Sequence, residues 1–327
     1  MRAVVLRSHG GPEVLGIEDV RAPEIGAEEI LVKVAATAVN RADVLHRIGL
    51  YPDPFPGALD IPGMEYSGTV EACGDRVRNW RVGDQVMGIV SGGSYAEYIA
   101  VHERQAMRTP RGISLSDAAA IPEVFLTAWD ALVLQGGLTS GRWALVHAAA
   151  SGVGTAAVQI VKAIGAHVVG TCSGSKVDAV RALGADVVVD YTTDDFVQKV
   201  SEATGGRGVD VILDVIGGDY LDRNVASIAL KGRIVQVGVM GGGKVEFNLG
   251  ALMPKRASVT GTVLRARPLE EKIALAQRFS AEMIPLFESG RLQPVIDRRY
   301  SLDQIADAHR HMEANANIGK ILIEVSN

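Results

Sequence analysis

Between an apolar run at 143–147 and a segment at 155–164 lies a stretch of mostly small residues, Ala148-Ala149-Ala150-Ser151-Gly152-Val153-Gly154. The later segment places Ala156, Ala157, Ile160, Val161 and Ile164 at helical spacing. The order is strand, tight turn, helix. A second apolar run at 167–171 follows within roughly 30 residues, which fits a βαβ unit. In such a turn, backbone N–H groups at a helix N-terminus can face a pyrophosphate, and the helix end adds attraction. Against a strict G-x-G-x-x-G, the three glycine positions hold Ala149, Ser151 and Gly154, with Gly152 beside them. Ser151 restricts backbone approach, but its hydroxyl could bond a phosphate oxygen. Many α/β turns of this form bind nothing, so the turn alone leaves both readings open.

The residues after the second run sharpen the choice. Dinucleotide sites that select the unphosphorylated coenzyme carry an acid there, ~20 residues past the turn, to accept from the adenosine ribose. Here the run ends Thr171-Cys172-Ser173-Gly174-Ser175-Lys176, with no carboxylate before Asp178. Hydroxyls and an ammonium make a phosphate site, which favours NADPH over NADH. The competing reading makes Ser175 the cap of the next helix and Lys176 a solvated first-turn residue. Tyr191, after the third run, could pack on an adenine or sit as a half-buried edge aromatic.

The elements that must position these groups follow from pattern. Residues 1 to about 124 are β-rich, with short strands expected at 4–6, 30–34, 66–70, 85–90 and 95–100, and a helical stretch near 40–47. Glycine and proline punctuate them, which predicts a compact, barrel-like domain. Residues 124–134 read as an apolar helix. Strand and helix then alternate: 143–147 and 152–164, 167–171 and 175–183, 187–190 and 194–203, 209–214 and 219–229, then 233–238. That alternation predicts an open, twisted parallel sheet with ligands at the carboxyl ends of its strands. Past about 264 it stops. Residues 269–288 read as one long amphipathic helix, followed by strand (295–296), helix (302–312) and a last strand (320–325) expected to rejoin the N-terminal domain.

Bulk properties narrow the class. The chain has 327 residues, 47% hydrophobic and 22% charged, with a net charge of −5. This suits two soluble globular domains and suggests no polyanion-binding surface. Cys73 and Cys172 are the only cysteines, so a disulfide framework is excluded and a cytoplasmic location is expected. The first residues run directly into a strand rather than a signal peptide, and no apolar run is long enough to span a membrane. The seven histidines, His9, His46, His102, His147, His167, His309 and His311, show no metal spacing beyond the last pair. That pair lies two apart on an expected helix and points different ways.

Spread along the chain are Ala38-Val39-Asn40-Arg41-Ala42-Asp43, Gly63-Met64-Glu65-Tyr66-Ser67-Gly68, Val82-Gly83-Asp84-Gln85-Val86 and Ala118-Ala119-Ala120-Ile121-Pro122. Leu126-Thr127-Ala128, His147 to Gly154, Ala182-Leu183-Gly184-Ala185-Asp186, Asp214-Val215-Ile216-Gly217-Gly218 and Asn317-Ile318-Gly319-Lys320 continue the series. Together they resemble the medium-chain dehydrogenase/reductase superfamily, and within it the zinc-independent, zeta-crystallin-like quinone oxidoreductases. Ser151, the Gly238–Gly243 run and Glu313-Ala314-Asn315-Ala316-Asn317 are most similar to the apoptosis-induced NADPH quinone reductase subgroup.

The resemblance implies a GroES-like β-rich domain (1–124), a Rossmann doubly wound domain (125–264) and a return to the first domain (265–327). It implies NADPH-dependent hydride transfer to a quinone, or to an enone or enoyl acceptor on the same fold. It also implies a homodimer joined along sheet edges. Asn40 and Tyr51 would lie beside the nicotinamide, with Tyr51 bonding the acceptor oxygen, although from sequence alone a loop aromatic in the proline-rich turn 51–56 is the stronger reading of Tyr51. Thr127 would touch the nicotinamide or simply face the core. Ser151, Gly152 and Val153 would hold the pyrophosphate, and Ser173 and Lys176 the 2′-phosphate. Gly238, Val239, Met240 and Gly241 would pass under the nicotinamide ribose, with Leu264 and Asn317 closing the cofactor cleft.

Zinc-using relatives place a ligand in Gly-His-Glu, where this chain has Gly63-Met64-Glu65, and a thioether is a poor zinc ligand. The partner cysteine position holds Asn40-Arg41, so no metal is expected and Glu65 is expected to be structural. Some zeta-crystallin-like proteins bind NADPH or RNA without turnover. This chain lacks a basic aromatic strip for single-stranded nucleic acid, so no nucleic-acid partner is expected.

Overall fold

The computed structural model describes residues 1–55 and 57–325. Pro56, the last residue of the proline-rich turn, lies outside them. The chain divides into two units, Met1–Leu126 with Leu264–Asn327, and Thr127–Val263.

In the second unit the alternating pattern becomes a six-stranded sheet. Its elements are β1 (Trp143–Val146), α1 (Gly152–Ala163), β2 (His167–Cys172), α2 (Val177–Ala182), β3 (Val187–Asp190), α3 (Phe196–Thr204), β4 (Val209–Asp214), α4 (Tyr220–Ser227), β5 (Ile228–Gln236) and β6 (Ser258–Gly261). The strand order is β3-β2-β1-β4-β5-β6, and every pair is parallel. This is the doubly wound order, which reverses direction between β1 and β4. Leu145, Val169, Val189, Ile212 and Ile234, from five adjacent strands, form one core with Phe196 and Val200 of α3 and Val225 of α4. The inner strands are continuously apolar because helices cover both faces of such a sheet.

Two details differ from the pattern reading. β5 begins at Ile228 rather than 233, because a register irregularity opposite Val209–Val211 lets pairing start early. β6 was not anticipated, since its residues are largely exposed and carry no apolar run.

The first unit holds a hairpin of Arg2–Leu6 and Leu15–Asp19 and a seven-stranded sheet. Its central strand, Glu29–Val39, pairs antiparallel with Glu65–Cys73, Tyr98–His102 and Lys320–Glu324. The last of these brings the C-terminal strand beside residues 36–39. Residues 269–288 do not form one helix. They split into Leu269–Glu282 and Ile284–Glu288, because Pro285 has no N–H to continue the ladder. The apolar helix at 124–134 starts earlier, at Pro122, and changes to wider π turns over Asp130–Gln135.

No helix among the described residues is long and apolar enough to cross a membrane.

Candidate active site

At the carboxyl end of β1 the chain turns sharply into α1. Ala148 sits in the left-handed region (φ 51°), a conformation that costs a non-glycine residue energy. Ser151 is the N-cap of α1, and its Oγ accepts from the Gly154 N–H at 3.0 Å. That leaves the N–H groups of Gly152 and Val153 as first-turn donors with no partner inside the helix. Gly154 is required by space: a Cβ there would lie 2.2 Å from the Ala148 carbonyl oxygen. The turn therefore fits a pyrophosphate through backbone donors, and the serine Oγ, which accepts in the cap, still carries an O–H that can donate.

A buried hydrogen-bond chain fixes this turn from behind. Asp214 Oδ1 accepts from the Ile216 and Gly217 N–H groups, and its Oδ2 accepts from Asn224 Nδ2 at 2.9 Å. The Asn224 carbonyl must then accept from His147 Nε2, 2.7 Å away, so Nδ1 accepts from the Thr171 hydroxyl at 3.1 Å. Burial keeps His147 neutral by lowering its pKa. The same Asp214 end organises the loop after β5. Met240 N–H donates to Val215 O and Gly241 N–H to Ile216 O, at 3.1 and 2.7 Å. A Cβ on Gly218 would lie 2.7 Å from Gly241 O, so two glycine loops pack face to face. Neither His147 nor Asn224 was singled out from sequence for this part; only their shared burial at strand and helix ends could have signalled it.

The other candidate residues that follow strands of this unit lie at the same, carboxyl end of the sheet. Gly238 is half-buried, and Val239, Met240 and Gly241 are exposed. Ser173 and Lys176 follow β2 and are half-buried; Tyr191 follows β3, half exposed, with its N–H on the Cys172 carbonyl at 3.1 Å. Ser175 does not cap a helix. The turn Gly174–Lys176 is 3-10, with Ser173 at its N-cap position and Lys176 at that of α2. Asp190, at the end of β3, stands opposite Cys172 of β2 and brings a carboxylate to this edge. The acid is not apparent from the residues that follow β2, because it lies one strand over.

In the first unit Asn40 is the N-cap of the helix Arg41–Arg47 and is 5% exposed. Its amide is fully committed: Oδ1 accepts from Lys320 Nζ at 2.5 Å, and Nδ2 donates to Glu65 Oε1 at 2.9 Å and to Ala38 O at 3.4 Å. Lys320 Nζ also lies 2.8 Å from Glu65 Oε1, and Glu65 Oε2 accepts from the Glu123 N–H. Glu65 is thus a buried structural anchor.

Arg265 was missed from sequence, yet it builds the Tyr51 loop. It donates to Ser91 O at 2.6 Å and to Tyr51 O at 2.7 Å, lies 3.1 Å from His46 Nδ1, and stacks 5.1 Å from the Tyr51 ring centre. Burial raises the Tyr51 pKa, so the phenol stays protonated as a donor. Leu264, beside Arg265, is buried, as is Asn317; Thr127, the first residue of the other unit, is buried as well. Asn317 Nδ2 donates to Gly319 O at 2.8 Å. The helix Arg41–Arg47 links Asn40 at its start to His46 near its end, and so joins the lysine–glutamate cluster to the tyrosine loop. Among the described residues, no three His, Cys, Asp or Glu side chains converge to hold a metal ion.

A doubly wound parallel sheet in one unit and a largely antiparallel β sheet in the other are the two parts expected of a nicotinamide-dependent oxidoreductase. Residues 26–111 match the alcohol dehydrogenase GroES-like domain, and residues 152–282 match the family described as zinc-binding dehydrogenase. The chain is 34% identical over 330 residues to the quinone oxidoreductase of Lama guanicoe, covering 99% of this chain and 97% of that one. Its fold matches a structure titled as Escherichia coli quinone oxidoreductase complexed with NADPH (TM-score 0.89, 30% identity, 99% and 100% covered). It also matches one titled as an NAD-dependent alcohol dehydrogenase (TM-score 0.90, 32% identity, both chains fully covered). The chain belongs to the quinone oxidoreductases of the medium-chain dehydrogenase/reductase superfamily.

Proposed function

We propose that this chain is an NADPH-dependent, zinc-independent quinone oxidoreductase. The observation that carries the reading is the carboxyl end of the parallel sheet, which the capped start of α1, the Ser173–Lys176 turn and the 238–241 loop all follow. The Gly152 and Val153 N–H groups would hold the pyrophosphate, with Ser151 fixing the helix end they belong to. Ser173 and Lys176 would take the 2′-phosphate, Tyr191 the adenine, and Gly238, Val239, Met240 and Gly241 the nicotinamide ribose.

When bound, the reduced nicotinamide supplies the hydride. The chain's own task is orientation and one hydrogen bond. Tyr51, kept protonated by burial, would donate to the quinone oxygen as charge develops there. Asn40 has no donor left for substrate, so it serves as a positioning residue that holds Lys320, Glu65 and the start of the Arg41–Arg47 helix. Thr127, Leu264 and Asn317 would shape the nicotinamide end. Zinc independence is supported by the chemistry at 63–65: Met64 is a poor ligand, and the Glu65 carboxylate is neutralised by Lys320. A homodimer is supported by β6, a sheet edge with Leu249, Met253 and Val259 exposed in or near it.

The test is NADPH oxidation by the purified chain against benzoquinones, naphthoquinones and enones. Turnover of quinones is expected. Reduction of enones alone would assign the enone reductase reading instead.

A further inference from the structure

We propose that Asp190 sets the coenzyme preference of the site, drawing it toward the unphosphorylated coenzyme against the pull of Lys176. This rests on the reading above that the turn after β2 receives the adenosine ribose. β3 runs parallel to β2, with Asp190 opposite Cys172. Its carboxylate is fixed rather than mobile. Oδ1 accepts from the Thr192 N–H at 3.0 Å and from the Thr192 hydroxyl at 2.7 Å. Oδ2 turns toward Gly174, so close that a Cβ on Gly174 would lie 2.4 Å from it. The Thr192 donors, helped by the Gly174 N–H, hold the carboxyl below its ordinary range and keep it charged.

Asp190 and Lys176 therefore present opposite charges to one short turn. The Cys172 thiol between them senses both. Burial pushes its pKa up to about 11, Asp190 adds to the rise and Lys176 opposes it. A 2′-phosphate arriving at Ser173 and Lys176 carries about −1.5 to −2 charges at neutral pH, and a fixed carboxylate in the same turn counts against it. A ribose with free hydroxyls meets no such repulsion and finds an acceptor. The sequence pattern, with hydroxyls and a lysine directly after β2, reads as NADPH-selective. The fold adds an acid from the neighbouring strand, so discrimination between the two coenzymes is narrow.

The experiment is calorimetric titration of the full chain with NADPH, NADH, adenosine 2′,5′-bisphosphate and 5′-AMP, for wild type, Asp190→Asn, Asp190→Ser and Asp190→Glu. Wild type should prefer each 2′-phosphorylated ligand by less than about tenfold (1.4 kcal/mol). Asp190→Asn and Asp190→Ser should raise that preference by tenfold or more, while Asp190→Glu should stay near wild type. A wild-type preference above a hundredfold, or an unchanged ratio in the neutral variants, overturns the inference and leaves the coenzyme site standing. Failure of wild type to bind any of the four ligands overturns the coenzyme reading itself.

Discussion

Lys320 and Glu65 form an ion pair with almost no solvent exposure, 2.8 Å apart. Such a pair is stable because it is complete; removing one member strands the other charge. Glu65→Gln should cost about 3–5 kcal/mol in urea unfolding, and Glu65→Gln with Lys320→Met should recover most of it. A double variant whose loss equals the sum of the two single losses would show that the pair is not coupled. Asp43, three residues past Asn40, is fully buried, with Oδ2 accepting from the Asn40 N–H at 2.8 Å and the Tyr95 hydroxyl beside the carboxyl group. Burial raises its pKa from 3.8 to about 6, against the Asn40 N–H, Lys320 and Arg265. A raised carboxyl favours the folded state below about pH 4, and that contribution is lost as pH rises through 6. Asp43→Asn should therefore stabilise the protein at pH 8, by up to about 3 kcal/mol, and change little at pH 4. The same difference at both pH values would contradict that charge state. Tyr51→Phe should lower kcat with quinone about a hundredfold and leave the NADPH dissociation constant within twofold. Because burial raises the phenol's pKa, ionisation of Tyr51 should not curtail the rate below pH 10.

At the scale of elements, the β1–turn–α1 passage is set by contact. Gly154→Ala would drive a methyl into the Ala148 carbonyl. It should cost several kcal/mol and abolish coenzyme binding, whereas Ser151→Ala should cost about 1 kcal/mol through the lost cap. Asn224→Leu strands Asp214 and His147 in the core, so it should destabilise by more than about 2 kcal/mol and weaken NADPH binding through both glycine loops. Unchanged affinity in a folded Asn224→Leu protein would show that the buried chain does not position those loops.

The alternation of apolar runs made the parallel sheet legible from sequence, because strands covered on both faces are written as continuous Val, Ile and Leu. β6 was not legible, since an exposed edge strand has no such signature. Pro285 could have announced the break near 283, but the apolar periodicity of 269–288 carried across it. Asp190 and the partners of Asn40 were hidden for another reason: each depends on a neighbour brought in by strand pairing, between β2 and β3 or between residues 36–39 and 321–324.

At the scale of the whole molecule, each unit supplies a separate part of the proposed reaction. In that proposal the parallel sheet would carry the groups for the coenzyme, and the other unit carries Tyr51 on a loop fixed by Arg265. If β6 is the dimer edge, Met253→Glu with Val259→Lys should yield a monomer by light scattering, and a wild-type monomer would contradict the assignment. The proposed reaction is hydride delivery from NADPH to a quinone with no metal. Its most direct measurement is the rate at which chelator-treated protein oxidises NADPH with 1,4-benzoquinone. The same turnover is expected before and after chelation, unchanged by added zinc. No NADPH consumption until zinc is restored would contradict it.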